Sequence, residues 1–514
     1  MMLKKFLPVS LILFFWLTGC AANPVTGKNE LVLVPKSTEI NLGNEQYLPS
    51  RQMQGGDYKT EPQIATYIRR VGLKLAAVSD RQLPYEFNVI NDSTPNAWAL
   101  PGGKIVINRG LLVELNSEAE LAAVLGHEIV HAAARHGAKR MERGILLQGM
   151  IIATGIASSN SEYSRFAVGG VGIVSQLLTH KYSRNAEFEA DLYGMHYMSR
   201  AGYDPRAAIV LQQTFVRLAE ERNPNWLNGL FASHPPSPER VAANRVTAAG
   251  LPQGGDIGRD RYQQAIAPLL RDREAYKEFD QGCKALSSGD NEQALTLAQK
   301  ALKIQPHEAL FHSLRGDVRL KQQRYRDAIT NYNRALKYND EYFHFYLQRG
   351  LARLKLKKTA LAQADLEKSI TLLPTAPALN ALGNLSLDQG DHSKAKKYFM
   401  VAASSKSEAG QAASLALIRL DLPDNPHKYL QLELSRDRSN YLLAQITNRT
   451  EHSVEDVVFM IQFKDSHAKI REVQLQLPNR LGAHQKTIIA TGIGPFADLR
   501  KVQGKVIQAR IVED

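Results

Sequence analysis

Apolar and polar positions follow several different periods along the chain. Residues 6–17 form a mostly apolar stretch behind Lys4 and Lys5. It is shorter than the roughly 20 residues a bilayer-spanning helix needs, which predicts a processed export signal rather than an anchor. From 23 to 60 the chain is polar and punctuated by Pro and Gly, the pattern of a tether. Ile64, Ile68, Val71, Leu75 and Val78 then fall at helical spacing within 62–78. Tyr85 to Ile90 and Lys104 to Asn108 read as short strands, separated by Pro95, Pro101, Gly102 and Gly103. A long helix is predicted from Ser117, which forms a capping box with Glu120 three residues on. Residues 144–161 and 166–180 are uncharged, but their glycines and Ser, Thr and Asn residues make poor membrane spans. Two helices packed on the helix from Ser117 are expected there, in preference to a membrane hairpin.

A longer period follows. Gly282, Gly316, Gly350 and Gly383 recur together with Ala294, Ala328, Ala362 and Ala395. Ala298, Tyr332, Leu366 and Phe399 keep a third register, and Pro306, Asp340 and Pro374 close the units. A 34-residue period with small residues at fixed places resembles tetratricopeptide repeats, pairs of helices that approach closely. Four repeats and a capping helix are expected over 271–422. After Pro423 the period shortens to that of strands: Tyr429 to Leu434, Tyr441 to Ile446, Val457 to Phe463, Val473 to Leu477, Ile488 to Thr491 and Gly504 to Val512. These predict a small β-sandwich over 427–514, read as an interaction module.

The 514 residues carry 44% apolar and 22% charged side chains, which excludes a disordered chain. Two cysteines, Cys20 and Cys283, exclude a disulfide scaffold and a four-thiolate metal site. The sequence Leu17-Thr18-Gly19-Cys20 resembles the bacterial lipobox, which implies a signal peptide over 1–19 and a lipidated Cys20. Ala21, rather than Asp, implies sorting to the periplasmic side of the outer membrane. The formal charge of +13 sits mostly in the repeats, where Arg315 to Lys358 holds 12 basic and 4 acidic residues. In an exported lipoprotein this disfavours nucleic acid and suits an acidic client, an acidic assembly protein or lipid phosphates; a solvated helix face is the plainer reading.

The chemistry lies in the helix from Ser117. His127-Glu128-Ile129-Val130-His131 places two imidazoles one turn apart on one face, able to share a Zn²⁺, with Glu128 beside them to handle the proton of an attacking water. A catalytic zinc needs a third protein ligand. Downstream, Glu187 and Asp191 share one helix face at i and i+4; by residue type alone His180, Glu189, Asp191 and His196 are all rivals.

His-Glu-x-x-His followed by a Glu-x-x-x-Asp helix resembles the zinc peptidases that include the heat-shock protease HtpX, the CAAX prenyl endopeptidases and the Oma-type proteases. The resemblance implies one Zn²⁺ on His127, His131 and Glu187, with Glu128 as general base and Asp191 orienting a ligand histidine or assisting proton transfer. It implies a mainly α peptidase domain with a small sheet over 61–260, behind a tether over 20–60. Asn96, Trp98, Lys104, Ile105 and Val106 resemble the family's substrate edge strand, a plain hairpin being the alternative. His234-Pro235-Pro236-Ser237-Pro238-Glu239-Arg240 resembles its His-Pro segment. In relatives of the β-barrel assembly-enhancing protease type, such a histidine caps the zinc as a fourth ligand. His234 is a candidate for that role, with a surface-loop histidine as the alternative, and Arg240 a candidate to position a carboxylate.

The layout implies a zinc endopeptidase of the bacterial envelope, acting on unfolded or misassembled outer-membrane proteins and docking to their assembly machinery through its basic repeats. Two departures, the lipobox and the β-domain after 423, make partners less transferable than chemistry. The competing expectation is a chaperone or docking lipoprotein with a dormant zinc site; the intact Glu128 speaks against it.

Overall fold

The protein was analysed as a computed structural model, which describes residues 20–148, 181–221, 229–465 and 469–512. The expected signal peptide and residues 149–180 of the uncharged region lie outside these. The chain forms two compact units, one running to Pro374 and one starting at Thr375. Among the described residues, no helix is long and apolar enough to cross a membrane.

The first unit opens with strands β1 (Cys20–Ala22) and β2 (Asn29–Leu31), paired antiparallel. Helix α1 (Lys36–Met53) follows where a tether was expected, which corrects that expectation. Its pattern is poorly amphipathic because it buries polar side chains as well as apolar ones. Glu39 is 1% exposed and accepts from Arg81 Nη1 at 2.8 Å and from Arg135 Nε at 2.7 Å. Arg135 Nη2 also donates to Glu142 Oε1 at 2.9 Å and to the Val34 carbonyl at 2.8 Å. Partners of Glu39 that lie 42 and 96 residues away in sequence leave no trace in local periodicity.

Helix α2 (Pro62–Ala76) and strands β3 (Glu86–Ile90), β4 (Ala97–Leu100) and β5 (Lys104–Asn108) come next. The sheet order is β3-β5-β4, with β5 parallel to β3 and antiparallel to β4. Lys104, Ile105 and Val106 therefore sit in the central strand, with backbone groups engaged on both sides, and cannot offer a free edge. That correction leaves β4 as the edge strand, with no strand on its outer side among the described residues. The alternation of β5 splits its side chains between two layers. Ile105 and Ile107 join Ala97 and Ala99 in the main core, whereas Val106 packs with Trp98, Leu100, Leu42 and Tyr47 beneath α1. Tyr47 ties α1 to the sheet by donating to the Ile105 carbonyl at 3.0 Å.

Helix α3 (Glu118–Ala133) starts at the predicted cap, Ser117 Oγ accepting from Glu120 N at 3.2 Å. The reciprocal bond of the box is displaced by one residue, the Glu120 carboxylate accepting from Asn116 N at 3.0 Å. All side chains from Glu118 to Ala133 are buried. The helix is stopped by Arg135 at φ 63°, after which α4 (His136–Gln148) leaves in a new direction. Helices α5 (Arg184–Arg200) and α6 (Ala207–Glu220) pack on α3, and α7 (Pro238–Ala249) packs on those two. Helix α8 (Arg259–Arg271) crosses the expected boundary at 260 and belongs to the same core, with Tyr262 and Ile266 fully buried and Tyr262 OH donating to the Leu112 carbonyl at 2.6 Å.

The repeats of the first unit are the pairs α9 (Arg273–Ser287) and α10 (Asn291–Ile304), α11 (Ala309–Lys321) and α12 (Tyr325–Tyr338), and α13 (Phe343–Lys355) and α14 (Thr359–Leu372). The glycine register admits a large side chain of a neighbouring helix: a Cβ on Gly316 would lie 2.7 Å from the buried Tyr332 ring. The array shares one apolar core with α3, since Phe311, Ala335 and Phe345 belong to the cluster that contains Leu125 and Ile129.

The second unit holds α15 (Ala376–Asp388), α16 (His392–Ala402), α17 (Glu408–Asp421) and strands β6 (Leu430–Arg436), β7 (Leu442–Asn448), β8 (Val454–Lys464), β9 (Ile470–Gln476), β10 (Lys486–Ala490) and β11 (Gln503–Ile511). The strands form two antiparallel sheets, ordered β10-β7-β6 and β11-β8-β9. Ile418 and Leu422 are buried with residues of both sheets, so helix and strands share one core.

The Glu39 cluster gives the fold a clear test. Glu39→Ala leaves the buried Arg81 without a carboxylate and Arg135 with Glu142 alone, and should cost about 3–5 kcal/mol, read as a lowered midpoint in urea unfolding; an unchanged midpoint contradicts the role given to α1.

Candidate metal centre

The centre is built where α3, α5 and the segment before α7 meet. Helices α3 and α5 touch at two glycines: a Cβ on Gly126 would stand 3.2 Å from the Gly194 carbonyl oxygen, and one on Gly194 would stand 3.1 Å from His127 N. Small residues at the crossing bring the two backbones together. Side chains one turn further on can then meet in the space between.

His127 Nε2 lies 3.0 Å from His131 Nε2 and 3.2 Å from His234 Nδ1. Glu187 Oε1 lies 3.0 Å from His234 Nδ1 and 3.4 Å from His131 Nε2. These four residues are buried, and one ligand atom from each falls within 4.8 Å of all the others. Metal bonds of about 2.0–2.1 Å in a tetrahedron imply donor separations of about 3.3 Å, close to those seen. Donor types agree as well, three imidazole nitrogens and a carboxylate oxygen being a set that zinc accepts.

Charge points the same way. Glu128, Glu187 and Asp191 face one guanidinium, that of Arg240. Burial by itself would lift the Asp191 carboxyl and push the His127 imidazole down. Arg240 instead holds Asp191 below its usual range, and hydrogen bonds to Asp191 and Glu187 lift His127 to about 10. Burial keeps His131 well below the usual imidazole range and raises Glu128. Three carboxylates against one guanidinium leave a negative surplus that a divalent cation would neutralise.

Around the donors stands a layer of positioning contacts. Arg240 donates to both Asp191 oxygens at 2.7 Å, and its Nη1 lies 2.9 Å from Glu187 Oε2. Asp191 Oδ1 lies 3.0 Å from His127 Nδ1, which directs the opposite nitrogen inward. His131 is oriented by a group that sequence reasoning missed, His136, whose Nδ1 lies 2.8 Å from His131 Nδ1 and whose Nε2 lies 3.2 Å from Glu189 Oε2. Tyr182 stacks on the His131 ring at 3.8 Å between centroids. The available signal was a third histidine five residues past His131, just beyond the helix end. Glu189, a rival ligand by residue type, thus faces His136, and His196 packs beside Tyr193 away from the centre. His180 lies outside the described residues. Trp98 is 5% exposed, turned beneath α1, and donates to Gln54 Oε1 at 3.0 Å, so its side chain faces the core rather than a groove.

Beside Glu128 a cavity opens between α3, α5, α6 and α7, lined by Val124, Met195, Leu211 and Phe215 among others. Four polar atoms of its lining have no hydrogen-bond partner: Glu128 Oε2, His234 Nε2, Gln212 Oε1 and Asn244 Nδ2. Buried polar atoms without partners cost free energy, and here they cluster where a water and a peptide group would enter.

Comparison with known proteins agrees with this geometry. Residues 62–247 match the model of peptidase family M48, and 279–325, 316–357 and 376–408 match tetratricopeptide repeat models. The chain carries a peptidase M48 domain followed by tetratricopeptide repeats, and that family is one of zinc-dependent metallopeptidases. It is similar to a putative beta-barrel assembly-enhancing protease of Vibrio cholerae, 31% identical over 208 residues, 37% of this chain and 40% of that one. It is also similar to the mitochondrial metalloendopeptidase OMA1 of Schizosaccharomyces pombe, 34% identical over 177 residues, 34% of this chain and 50% of that one. The beta-barrel assembly-enhancing protease of Escherichia coli is 24% identical over 326 residues, 55% of this chain and 66% of that one. The chain therefore spans half or less of the first two of these relatives.

The Arg240 contacts predict a stability effect separable from any activity. Arg240→Ala leaves the Asp191 and Glu187 carboxylates buried without their cation and should destabilise the metal-free protein by about 3–5 kcal/mol, measured by chemical unfolding in the presence of a chelator. A loss under about 1 kcal/mol contradicts the assignment.

Proposed function

We propose that the protein is a zinc-dependent endopeptidase of the bacterial cell envelope, held at the periplasmic face of the outer membrane by an acylated Cys20. Its substrates are unfolded or misassembled outer-membrane proteins, and its repeats and C-terminal β-domain, read as a β-sandwich, dock clients or the assembly machinery. The observation that carries the reading is the set of four closely spaced, buried donors beside an unpaired Glu128 oxygen. His127, His131 and Glu187 hold the metal. Zn²⁺, when bound, supplies a Lewis acid that polarises a carbonyl and makes water acidic.

The chain's own groups do the rest. The backbone of β4 pairs an extended substrate along its open edge. Glu128 takes the proton of the attacking water through Oε2 and returns it to the leaving amine. Burial raises the Glu128 carboxyl above its usual range, the direction that suits a group that must both accept and donate. Asp191 and Arg240 fix His127, and His136 fixes His131, so donor geometry does not depend on substrate. With helix α1 packed on the sheet, a lipidated Cys20 holds the peptidase domain close against the membrane, without the tether expected from composition.

His234 favours a second element of this reading. Its Nδ1 fills the fourth corner of the donor set, while its Nε2 lies 3.6 Å from Glu128 Oε1. It stands where a scissile carbonyl must arrive, so the enzyme is latent until His234 swings away. A chaperone role for the latent form, with the repeats holding clients, follows from the same contact.

Two measurements test these statements. Glu128→Gln should retain one zinc per chain by elemental analysis yet lose cleavage of a misfolded β-barrel protein by more than about 100-fold; a variant that still cuts removes the assignment. His234→Ala should keep zinc and cut an unfolded substrate several-fold faster, and a slower variant would instead make His234 a group that assists the reaction.

A further inference from the structure

The third repeat pair balances a charge arrangement that the second pair leaves open. In the third pair, Arg349 donates through Nε to Asp365 Oδ2 at 2.9 Å and through Nη2 to Oδ1 at 2.6 Å. Arg353 Nη1 reaches Oδ2 of the same carboxylate at 2.5 Å. Moved back by the 34-residue period, these three positions are Arg315, Arg319 and Asn331. Arg315 Nε still donates to the side-chain oxygen of position 331, at 2.6 Å, but that oxygen now belongs to a neutral amide whose nitrogen is turned to the Asp327 carbonyl at 2.8 Å. Arg319 Nη1 reaches only the neutral Gln322 Oε1, at 2.8 Å. Arg334, one turn along α12 from Asn331, adds an exposed third guanidinium. Among the described residues none of the three has a carboxylate partner.

The arrangement is electrostatically incomplete. Arg315 is half-buried between α11 and α12, and burial together with the charges of Arg334 and Arg319 holds it below the usual guanidinium value. His312, one turn back on α11, is kept low by its own burial and by Arg315 and Arg334, so it adds no further positive charge. Desolvated like charges repel unless an anion joins them. One repeat further on, the same arginine pair is joined by a carboxylate in bidentate geometry, the strongest form of that contact.

We propose that Arg315, Arg319 and Arg334 form a binding site for a carboxylate of an acidic peptide segment, which supplies from outside the charge that Asp365 supplies from within. The recessed position of Arg315 between two helices suits a side chain carried on an extended strand of protein. A bilayer surface is met better by fully exposed cations. The site is independent of the zinc centre and serves capture of a protein whether or not that protein is cut.

The test uses the full chain and two labelled peptides of equal length, one rich in Glu and Asp, the other with Gln and Asn in their places. The acidic peptide should bind with an affinity that falls as salt rises, and the amide peptide should not. Asn331→Asp installs the carboxylate of the next repeat, so it should weaken the acidic peptide by about tenfold or more while thermal unfolding stays at or above the wild-type temperature. Arg319→Gln, on the partly exposed helix face, should weaken it as well. Equal binding by wild type and Asn331→Asp overturns the proposal, as does wild type that binds neither peptide. Binding of phosphatidylglycerol vesicles that Asn331→Asp abolishes, with no peptide bound, would reassign the cluster to lipid phosphate.

Discussion

A helix buried along all sixteen residues carries two imidazoles and a carboxylate into the protein interior, and most of the first unit answers to that constraint. A charge in such a place is tolerated only when paired and hydrogen-bonded. Asp191 and Glu187 supply partners for the imidazoles, and Arg240 then neutralises much of the charge that those carboxylates bring. The glycine crossing at Gly126 and Gly194 lets α5 come near enough for this to happen. What remains unpaired is a compact negative surplus, bordered by donor atoms at metal-ligand spacing. A divalent metal would be the last partner in a sequence of compensations that begins with burial of the helix.

The same logic extends outward from the end of α3. Arg135 adopts a left-handed conformation there, and its Nε and Nη2 are held by Glu39, Glu142 and the Val34 carbonyl. The turn it makes delivers His136 onto His131, and Glu189 holds His136 from the other side. The N-terminal segment is therefore part of the frame that aims a ligand histidine. Residues that read as polar linker in the sequence are polar because they answer buried charges.

That explains what could be read in advance and what could not. His127, Glu128 and His131 were legible because one helical turn separates the two imidazoles, and the repeats because Gly316 and Tyr332 recur at a fixed period. The strands after 423 were legible from alternation. Helix α1 was not, since Glu39 is paired with Arg81 and Arg135, which only the folded chain brings near. The order of the sheet was hidden for a similar reason: β5 pairs with β3 across a connection that includes β4, and neither local pattern states which strand is central. His136 lay in plain view, but nothing in its spacing said that the chain would reverse at Arg135 and turn it back on the centre.

The repeats enter the same argument through their attachment. Glu308, at the head of α11, accepts from Thr60 Oγ1 and Tyr276 OH at 2.6 Å and from Asn91 Nδ2 at 3.0 Å, while Gln52 of α1 bonds the backbone at Glu341 and Phe343. Phe311 and Phe345 are buried in the core that also holds α3. Binding groups on a floppy linker raise the local concentration of a client only as the linker allows. Here the first-unit repeats are fixed to the domain that carries the donors, so on the proposed reading a client seated on α11 and α12 would meet the centre at one distance and from one direction. Rigid attachment of this kind would narrow which segments of a bound chain reach β4, and selection would then rest as much on where a client is held as on the residues beside its scissile bond.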